Sequence, residues 1–260
     1  MSNKAFITNS KTKTLKKRLH ELINHSAELK FLVGFFYFSG WRELYQSLKQ
    51  QDDITVKILV GLQVDNMLGK LVEIPVDNSS HSNREIADQV IQSFHKALNA
   101  EELDRETFYD QVDFFLNLLE QDRLIIRKTL NPNHAKLYIF KTKDELQSLR
   151  KTFFLTGSSN LTKAGIDEQN EFNVELSDFG TEEAEAWFES LWETAVPITE
   201  DNSIKKYLME MVKNRTQAAT VSPFEAYVMV LKTYIELMEQ KEVKPQIMDL
   251  LEEQGYKQYR

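Results

Sequence analysis

The chain has 260 residues, 40 acidic and 32 basic side chains, a formal net charge of −8 and no cysteine. Without cysteine there can be no disulfide, thiolate metal site or cysteine nucleophile, and 42% hydrophobic with 28% charged residues is typical of a globular protein. The longest apolar stretch, residues 31–38, is far shorter than the ~20 residues that span a bilayer, and no signal-peptide pattern precedes it, which favours a cytoplasmic protein without membrane contact.

The negative charge is concentrated in the last third of the chain. Residues 171–260 hold 18 acidic and nine basic side chains, and the rest of the chain is close to neutral. A net negative charge argues against binding nucleic acid over the whole surface, but it leaves room for a local site. A basic run near the N-terminus indicates either a solvated helix face or a phosphate-contacting surface, and it consists of Lys11, Lys13, Lys16, Lys17 and Arg18.

The first part of the chain predicts alternating helices and strands. Apolar residues at helical spacing predict a helix over residues 11–29. Two unbroken apolar runs, 30–37 and 54–60, predict strands that are buried on both faces of a sheet, with a helix over 41–50 between them. Residues 65–82 contain Pro75 and an Asn-Ser-Ser cluster, which predicts a loop.

The second part continues this pattern and then becomes helical. We predict helices over 83–99 and 104–121, followed by strands over 124–127, 136–140, 152–156 and 171–176. From Thr181 onwards only helices are predicted, over 181–194, 202–214, 222–240 and 244–254. The fold class is therefore α/β, a mixed sheet flanked by helices over residues 1–196, followed by an all-helical extension or linker over 197–260.

One short segment places a histidine and a lysine together. In a strand that begins near His134, the side chains of His134 and Lys136 would point to the same face. An imidazole beside an ammonium is a costly pair to bury, and it makes chemical sense where an anion will sit between them. Alone, a His-x-Lys pattern is weak, because a solvent-exposed strand edge would also give it.

A second segment has the composition of a phosphate-binding turn. Gly157, Ser158, Ser159 and Asn160 directly follow an apolar strand. A glycine allows close approach of a ligand to the backbone, and the hydroxyl and amide side chains add neutral donors. Glu171 begins the next predicted strand, where its carboxylate could hold a histidine ring in one tautomer.

Taken in order, these pieces resemble the phosphodiesterase motif of the phospholipase D superfamily. The longer pattern Gly-Ser-Ser-Asn-Leu-Thr from Gly157, with a later Glu-Phe-Asn-Val-Glu from Glu171, is similar to the nuclease branch of that superfamily. This branch includes metal-independent restriction endonucleases and the domains that precede Swi/Snf-type helicases. The motif core covers about forty residues, and the aromatic segment 35–40 resembles the first strand region of the same domains.

The resemblance implies a role for each matching residue. His134 would be the nucleophile that forms a phosphohistidine, and Lys136 would neutralise the phosphate oxygens. Asn160 and Ser158 or Ser159 would hydrogen-bond the phosphate, and Glu171 would orient the histidine. No cofactor and no metal ion is implied.

The chain departs from the family pattern in two ways. Many members have an aspartate where this chain has Lys141, and the nuclease branch often lacks that aspartate, so this departure favours a nuclease over a lipase. Members also need a second histidine to protonate the leaving group, whereas this chain has a single His-x-Lys. The resemblance therefore implies a homodimer with one active site built from two copies.

Two functions remain open at this stage. The first is a metal-independent phosphodiesterase, a DNA nuclease that acts through a phosphohistidine. The second is a catalytically silent domain of the same fold that dimerises and binds nucleic acid. Asn173 and Glu175 could be catalytic or strand-pairing residues, and the aromatic run 35–38 could form core or a base-stacking platform. Residues 251–260 resemble a linker, which predicts a fused helicase-type domain beyond residue 260.

Overall fold

A computed structural model describes residues 6–10, 14–67, 70–99, 106–146 and 151–216, together with Tyr227 and Leu231. Backbone contacts divide the chain into a unit of residues 1–216 and a second unit of residues 217–260. Six α-helices form in the described part, α1 Leu15–Ile23, α2 Phe38–Lys49, α3 Asn83–Asn99, α4 Glu106–Glu120, α5 Thr181–Thr194 and α6 Asn202–Thr216. The helices predicted over 222–240 and 244–254 lie outside the described residues.

The strands form one large sheet and one small one. They are β1 Phe6–Ile7, β2 Ser26–Val33, β3 Thr55–Val60, β4 Gln63–Met67, β5 Lys70–Ile74, β6 Leu124–Lys128, β7 Leu137–Thr142, β8 Thr152–Gly157, β9 Asn173–Leu176 and β10 Val196–Pro197. The large sheet has the order β1-β9-β8-β7-β2-β3-β6-β10, and β4 pairs with β5 in a separate hairpin. Strands β2, β3 and β6 are parallel, whereas the other pairs in the large sheet are antiparallel.

Helices cover both faces of the large sheet. The larger apolar cluster joins one face to α1, α2, α3, α4 and α6. The smaller cluster joins the opposite face to α5, through Phe188 and Trp192. Neighbouring residues of β2 divide between the clusters, since Phe31 belongs to the first and Leu32 to the second. This double burial explains the unbroken apolar runs and confirms the predicted α/β class with a mixed sheet flanked by helices.

The prediction of a loop over residues 65–82 is wrong in its first part. Residues 63–74 contain the β4–β5 hairpin, in which Val64 pairs with Glu73. The hairpin packs against α3, where the backbone N–H of Val64 donates to the hydroxyl of Ser93 at 3.2 Å. Polar and apolar residues do not alternate regularly along these short strands, and the hairpin is stabilised by contacts that the local sequence does not reveal.

Other differences concern element ends. Strand β2 ends at Val33, before the predicted end at 37, and α2 begins at Phe38. The expectation of helices only after Thr181 is also wrong, because β10 lies between α5 and α6 and pairs with β6. Helix α6 buries Ile204 and Leu208 in the larger cluster. The domain boundary at residue 196 stays a prediction.

Candidate active site

The topology brings the predicted site residues to one end of the large sheet. Strand β7 runs antiparallel to β2, with Leu137 paired to Leu32, so the residues that precede β7 lie where β2 and β3 end. Strand β8 ends beside this point, where Gly157 pairs with Asn173 at the start of β9. Residues from four separate stretches of the chain therefore converge there.

His134 and Lys136 directly precede β7 and contact each other. The Nζ of Lys136 lies 3.0 Å from Nδ1 and 3.2 Å from Nε2 of the His134 ring. It also donates to the backbone carbonyl of His134 at 2.8 Å. The lysine is only 4% exposed, whereas the side chain of His134 is 73% exposed. The pair thus joins an accessible imidazole to a buried, oriented ammonium.

The loop before His134 is attached closely to the end of β3. A Cβ atom at Gly61 would overlap the carbonyl of Asn133, so only glycine permits this approach. The backbone N–H of Asn133 donates to the carbonyl of Gly61 at 3.0 Å. The side-chain Oδ1 of Asn133 in turn accepts from the N–H of Ala135 at 2.9 Å. These contacts fix the backbone on which His134 sits.

Ser158 and Glu171 contact each other across the turn that follows β8. The hydroxyl of Ser158 donates to the carboxylate of Glu171 and accepts from the backbone N–H of Phe172, the latter at 3.1 Å. Glu171 also acts electrostatically on the ammonium of Lys136. Its described contacts are therefore with Ser158 and Lys136, and its predicted role in orienting His134 stays a prediction.

Ser159 lies inside the turn. It is fully buried; its backbone N–H donates to Oδ1 of Asn173 at 3.4 Å, and its hydroxyl accepts from Nδ2 of Asn173 at 2.8 Å. The hydroxyl of Tyr138 donates to the carbonyl of Ser159 at 2.7 Å. These bonds hold the turn against β7 and β9, so Asn173 has a structural role. Phosphate binding by Ser159 stays a prediction.

Asn160 follows with an open hydrogen-bonding position. Its Oδ1 atom is buried and has no partner among the described residues. Its backbone carbonyl accepts from the N–H of Thr162 at 2.8 Å, and Gly165 packs so closely that a Cβ would crowd this carbonyl. A buried, unpaired amide oxygen is costly unless it serves a purpose. An amide oxygen accepts hydrogen bonds and cannot donate to a phosphate, so a phosphate would have to meet the Nδ2 group, and phosphate binding by Asn160 stays a prediction.

A second carboxylate, Glu73 of β5, was not anticipated from the sequence. Its Oε2 lies 3.7 Å from Nε2 of His134, and its side chain is 13% exposed. Burial raises the pKa of Glu73, while the charges of Lys136 and His134 and a hydrogen bond from Tyr37 act in the opposite direction. Burial, followed by the charge of Glu73, raises the pKa of Tyr37. Only the fold, and no motif, could have identified this residue.

Charge balance around Lys136 follows from these neighbours. Burial lowers the pKa of the Lys136 ammonium, and the negative charges of Glu73 and Glu171 oppose that shift. The two carboxylates thus favour the charged form of the lysine, against the effect of its burial. A charged lysine is what a phosphate oxygen requires as a partner.

Lys141, the departure from the family pattern, lies away from this site. It points to the face of the sheet covered by α5, where its Nζ lies 2.8 Å from Oε1 of Glu185. Glu175 likewise is used elsewhere, because it accepts two hydrogen bonds from the guanidinium of Arg18. Of the aromatic run, Phe35, Phe36 and Phe38 are buried in the core, which leaves Tyr37 as the member that reaches the site.

Neither a metal-binding group nor a membrane-spanning helix is found among the described residues. Among the described residues, no three His, Asp or Glu side chains are grouped so that they could hold a metal ion. Within the same part of the chain, no helix combines the length and apolar character that crossing a bilayer requires. A reaction without metal stays a prediction.

A family model and several solved structures are similar to this chain. A family model described as the phospholipase D-like domain of cardiolipin synthase matches residues 19–192. No curated protein matches. Similar solved structures include NucT from Helicobacter pylori, with 14% identity, coverage of 70% of this chain and 90% of that one, and a TM-score of 0.38.

Two further solved structures resemble the chain. Nuc from Salmonella typhimurium, a phospholipase D family member, has 16% identity, coverage of 70% and 89%, and a TM-score of 0.35. Phosphatidylserine synthase from Haemophilus influenzae has 13% identity, coverage of 86% and 46%, and a TM-score of 0.43. Likenesses at these levels carry no information about the substrate.

Proposed function

From the premise that this chain belongs to the phospholipase D-like family, we propose that it is a metal-independent phosphodiesterase that cleaves DNA through a phosphohistidine intermediate. The observation that carries the proposal is the contact between an exposed His134 ring and the buried ammonium of Lys136. A nucleophile that solvent can reach, beside a fixed cation, suits attack on a phosphodiester.

The reaction has two displacement steps. An unprotonated nitrogen of His134 attacks phosphorus, a P–N bond forms, and the P–O bond to the leaving nucleotide breaks as that oxygen takes up a proton. A water molecule then attacks the phosphohistidine, the P–N bond breaks, and the proton of the water returns to the general acid. Lys136 neutralises the oxygens of the phosphoryl group in both steps, and the amide of Asn160 donates beside it, joined by Ser158 once its hydroxyl turns from Glu171 to the phosphate.

A single copy lacks an obvious acid for the leaving group. Within the motif only His134 is available, so we propose that two copies associate and that the histidine of the partner copy donates the proton. The silent alternative, a domain that dimerises and binds nucleic acid without cleavage, is an outcome of the test below.

The test is cleavage of supercoiled plasmid DNA in the presence of EDTA. Wild-type protein is expected to nick or linearise the plasmid, and His134→Ala is expected to lose this activity. His25→Ala is the matched control, because His25 is an exposed histidine at the opposite end of β2 and should retain wild-type activity. Tight DNA binding without cleavage by wild type would favour the silent domain.

The dimer is tested separately. Light scattering of the wild-type protein is expected to give twice the mass of one chain. Mixing His134→Ala with Lys136→Met should restore little activity, because each composite site lacks an essential group. An active monomer would contradict the two-copy site but not the phosphodiesterase itself.

A further inference from the structure

We propose that Glu73 is the positioning residue that holds the His134 ring for attack, and that Glu171 serves Ser158 and Lys136 instead. This inference rests on the proposed function, since it assigns a role within the same site. It concerns a carboxylate on the β4–β5 hairpin, outside the motif segments over 134–175.

The first argument is the position of the carboxylate. Oε2 of Glu73 lies 3.7 Å from Nε2 of His134, which is an ion-pair distance, and a small rotation of the exposed ring would close it to a hydrogen bond. Nζ of Lys136 lies 3.0 Å from Nδ1 and 3.2 Å from Nε2 of the same ring, so the lysine does not select one nitrogen. Glu73 can therefore hold a proton on the nitrogen that it approaches and leave the other nitrogen free to attack.

The second argument is that Glu73 is itself held in place. The hydroxyl of Tyr37 hydrogen-bonds its carboxylate. Gly34, directly after β2, provides the space, because a Cβ there would overlap Oε2 of Glu73. A buried carboxylate that is fixed by a donor and by a glycine is preorganised, whereas an exposed one would have to be ordered at each turnover.

The third argument excludes a different role, that of the general acid. In-line displacement places the phosphorus and its leaving oxygen between the nucleophile and the acid. The 3.7 Å between the His134 ring and Glu73 has no room for either atom. Glu73 thus acts through His134, and the acid has to come from elsewhere.

The fourth argument concerns Glu171. Its carboxylate accepts the hydroxyl proton of Ser158, and its electrostatic influence falls on Lys136 and Tyr138. The two carboxylates therefore lie in different contacts, one on the histidine and the other on the phosphate-binding turn. A residue placed on the turn is expected to affect substrate binding more than the nucleophilicity of the ring.

The charged groups around the pair determine what removal of Glu73 would do. Glu73 faces Tyr37, which lies directly before α2. It also faces His134 and Lys136, which lie directly before β7. His134 faces Glu73 and Lys136. Removing the negative charge leaves the ring without the carboxylate that fixes its orientation, which weakens the nucleophile.

Kinetics of a small substrate give the first test. With bis(p-nitrophenyl) phosphate, Glu73→Gln is expected to lower kcat at least about tenfold, with KM changed by less than about threefold, because an amide cannot hold the ring as a carboxylate does. Glu73→Asp should recover part of the loss. Glu171→Gln is expected to change mainly KM.

A second variant displaces the carboxylate without removing it. Gly34→Ala puts a methyl group where Oε2 of Glu73 lies, and the flexible end of the glutamate can move aside at little cost to the fold. Gly34→Ala should therefore lower kcat in the same direction as Glu73→Gln. The double variant should be no worse than Glu73→Gln alone.

Chemical modification tests the proposal without any phosphodiesterase activity. Diethyl pyrocarbonate reacts with the unprotonated imidazole, and mass spectrometry of the peptide that carries His134 gives its rate of modification at each pH. In Glu73→Gln this rate should change at least about twofold, because the carboxylate no longer holds the ring. His25 serves as the internal control, and its rate should not change.

The outcomes are distinguishable. If His134 reactivity and kcat are unchanged in Glu73→Gln but both change in Glu171→Gln, the proposal is overturned while the phosphodiesterase stands. If no variant, including wild type, cleaves a phosphodiester, the proposed function fails, and the modification profile still decides whether Glu73 governs His134. Loss of activity in Glu73→Gln with wild-type reactivity of His134 would also overturn the positioning role.

Discussion

Two buried lysines, Lys128 and Lys136, lie close together along the chain but in contrasting surroundings. Lys128 is 0% exposed, and its Nζ donates to the carbonyls of Gly61 and Thr129, both at 3.0 Å. Lys136 instead contacts an imidazole and lies near two carboxylates. Burial alone therefore does not distinguish a candidate site lysine from a structural one. The chemistry of the groups around the ammonium does distinguish them.

The difference extends to the protonation of the two groups. Burial lowers the pKa of Lys128 to about 8, since the described carbonyl partners supply dipoles but no opposite charge. Burial also lowers the pKa of Lys136, but Glu73 and Glu171 oppose it. Lys128 stabilises the loop that carries His134, because the carbonyl of Gly61 accepts hydrogen bonds from Nζ of Lys128 and from the backbone N–H of Asn133. Lys136 is placed to meet a ligand.

The largest effect is expected when Lys136 is changed. Lys136→Met should lower cleavage of bis(p-nitrophenyl) phosphate by about 10²–10³-fold, because it removes a fixed donor to the developing phosphoryl charge. The melting temperature is expected to fall, because Glu73 and the carbonyl of His134 lose their cationic partner, so rates are compared at a temperature where both proteins are folded. Lys206→Met, in an exposed position of α6, is the control and should behave as wild type. If Lys136→Met retained a tenth or more of the wild-type activity, Lys136 would not differ from Lys128 in its importance for cleavage.

Replacing Lys128 should instead change how the free energy of unfolding depends on pH. Its pKa is about 8 in the folded chain and 10.5 in its ordinary, solvated state, so between these values the unfolded chain binds more protons and the free energy of unfolding rises with pH. In denaturant unfolding, the free energy of unfolding of wild type should rise by about 2–3 kcal/mol from pH 8 to 10.5 relative to that of Lys128→Met. Below pH 8 the two curves should run parallel, and a parallel course throughout would show that the ammonium is not buried.

The smallest effect is expected for a third lysine. Lys141 pairs with Glu185 on the α5 face at 2.8 Å and is 39% exposed. Lys141→Ala should change the free energy of unfolding by less than about 1 kcal/mol and leave the cleavage rate within about twofold, since partly exposed ion pairs contribute little. Denaturation midpoints and initial rates measure both. A tenfold loss of rate would mean that the departure from the family pattern matters for catalysis.

Much of the fold followed from periodicity, because burial on both faces leaves unbroken apolar runs. Helices α3 and α5 have the predicted bounds, and the strands β3, β6, β7 and β8 end within one or two residues of prediction. The hairpin of β4 and β5 and the two-residue β10 were missed. Their pairing depends on partners distant in sequence, and Pro197 is a residue that usually argues against a strand.

The site was only partly predictable for a related reason. His134, Lys136 and the turn from Gly157 to Asn160 could be found because their spacing along two neighbouring strands reflects their chemistry. Glu73 could not, since a lone glutamate in a polar stretch gives no indication of burial. Its position depends on Gly34, which lies in another element and contacts it only in the folded chain.

The edge of the large sheet at β10 has a consequence for association between copies. This edge consists of Val196 and Pro197, and proline offers no N–H to an incoming strand. A short edge of this kind resists growth of one sheet into the next. Strand pairing at this margin would therefore not join two copies into a continuous sheet, and the two-copy site proposed above would have to form on another surface.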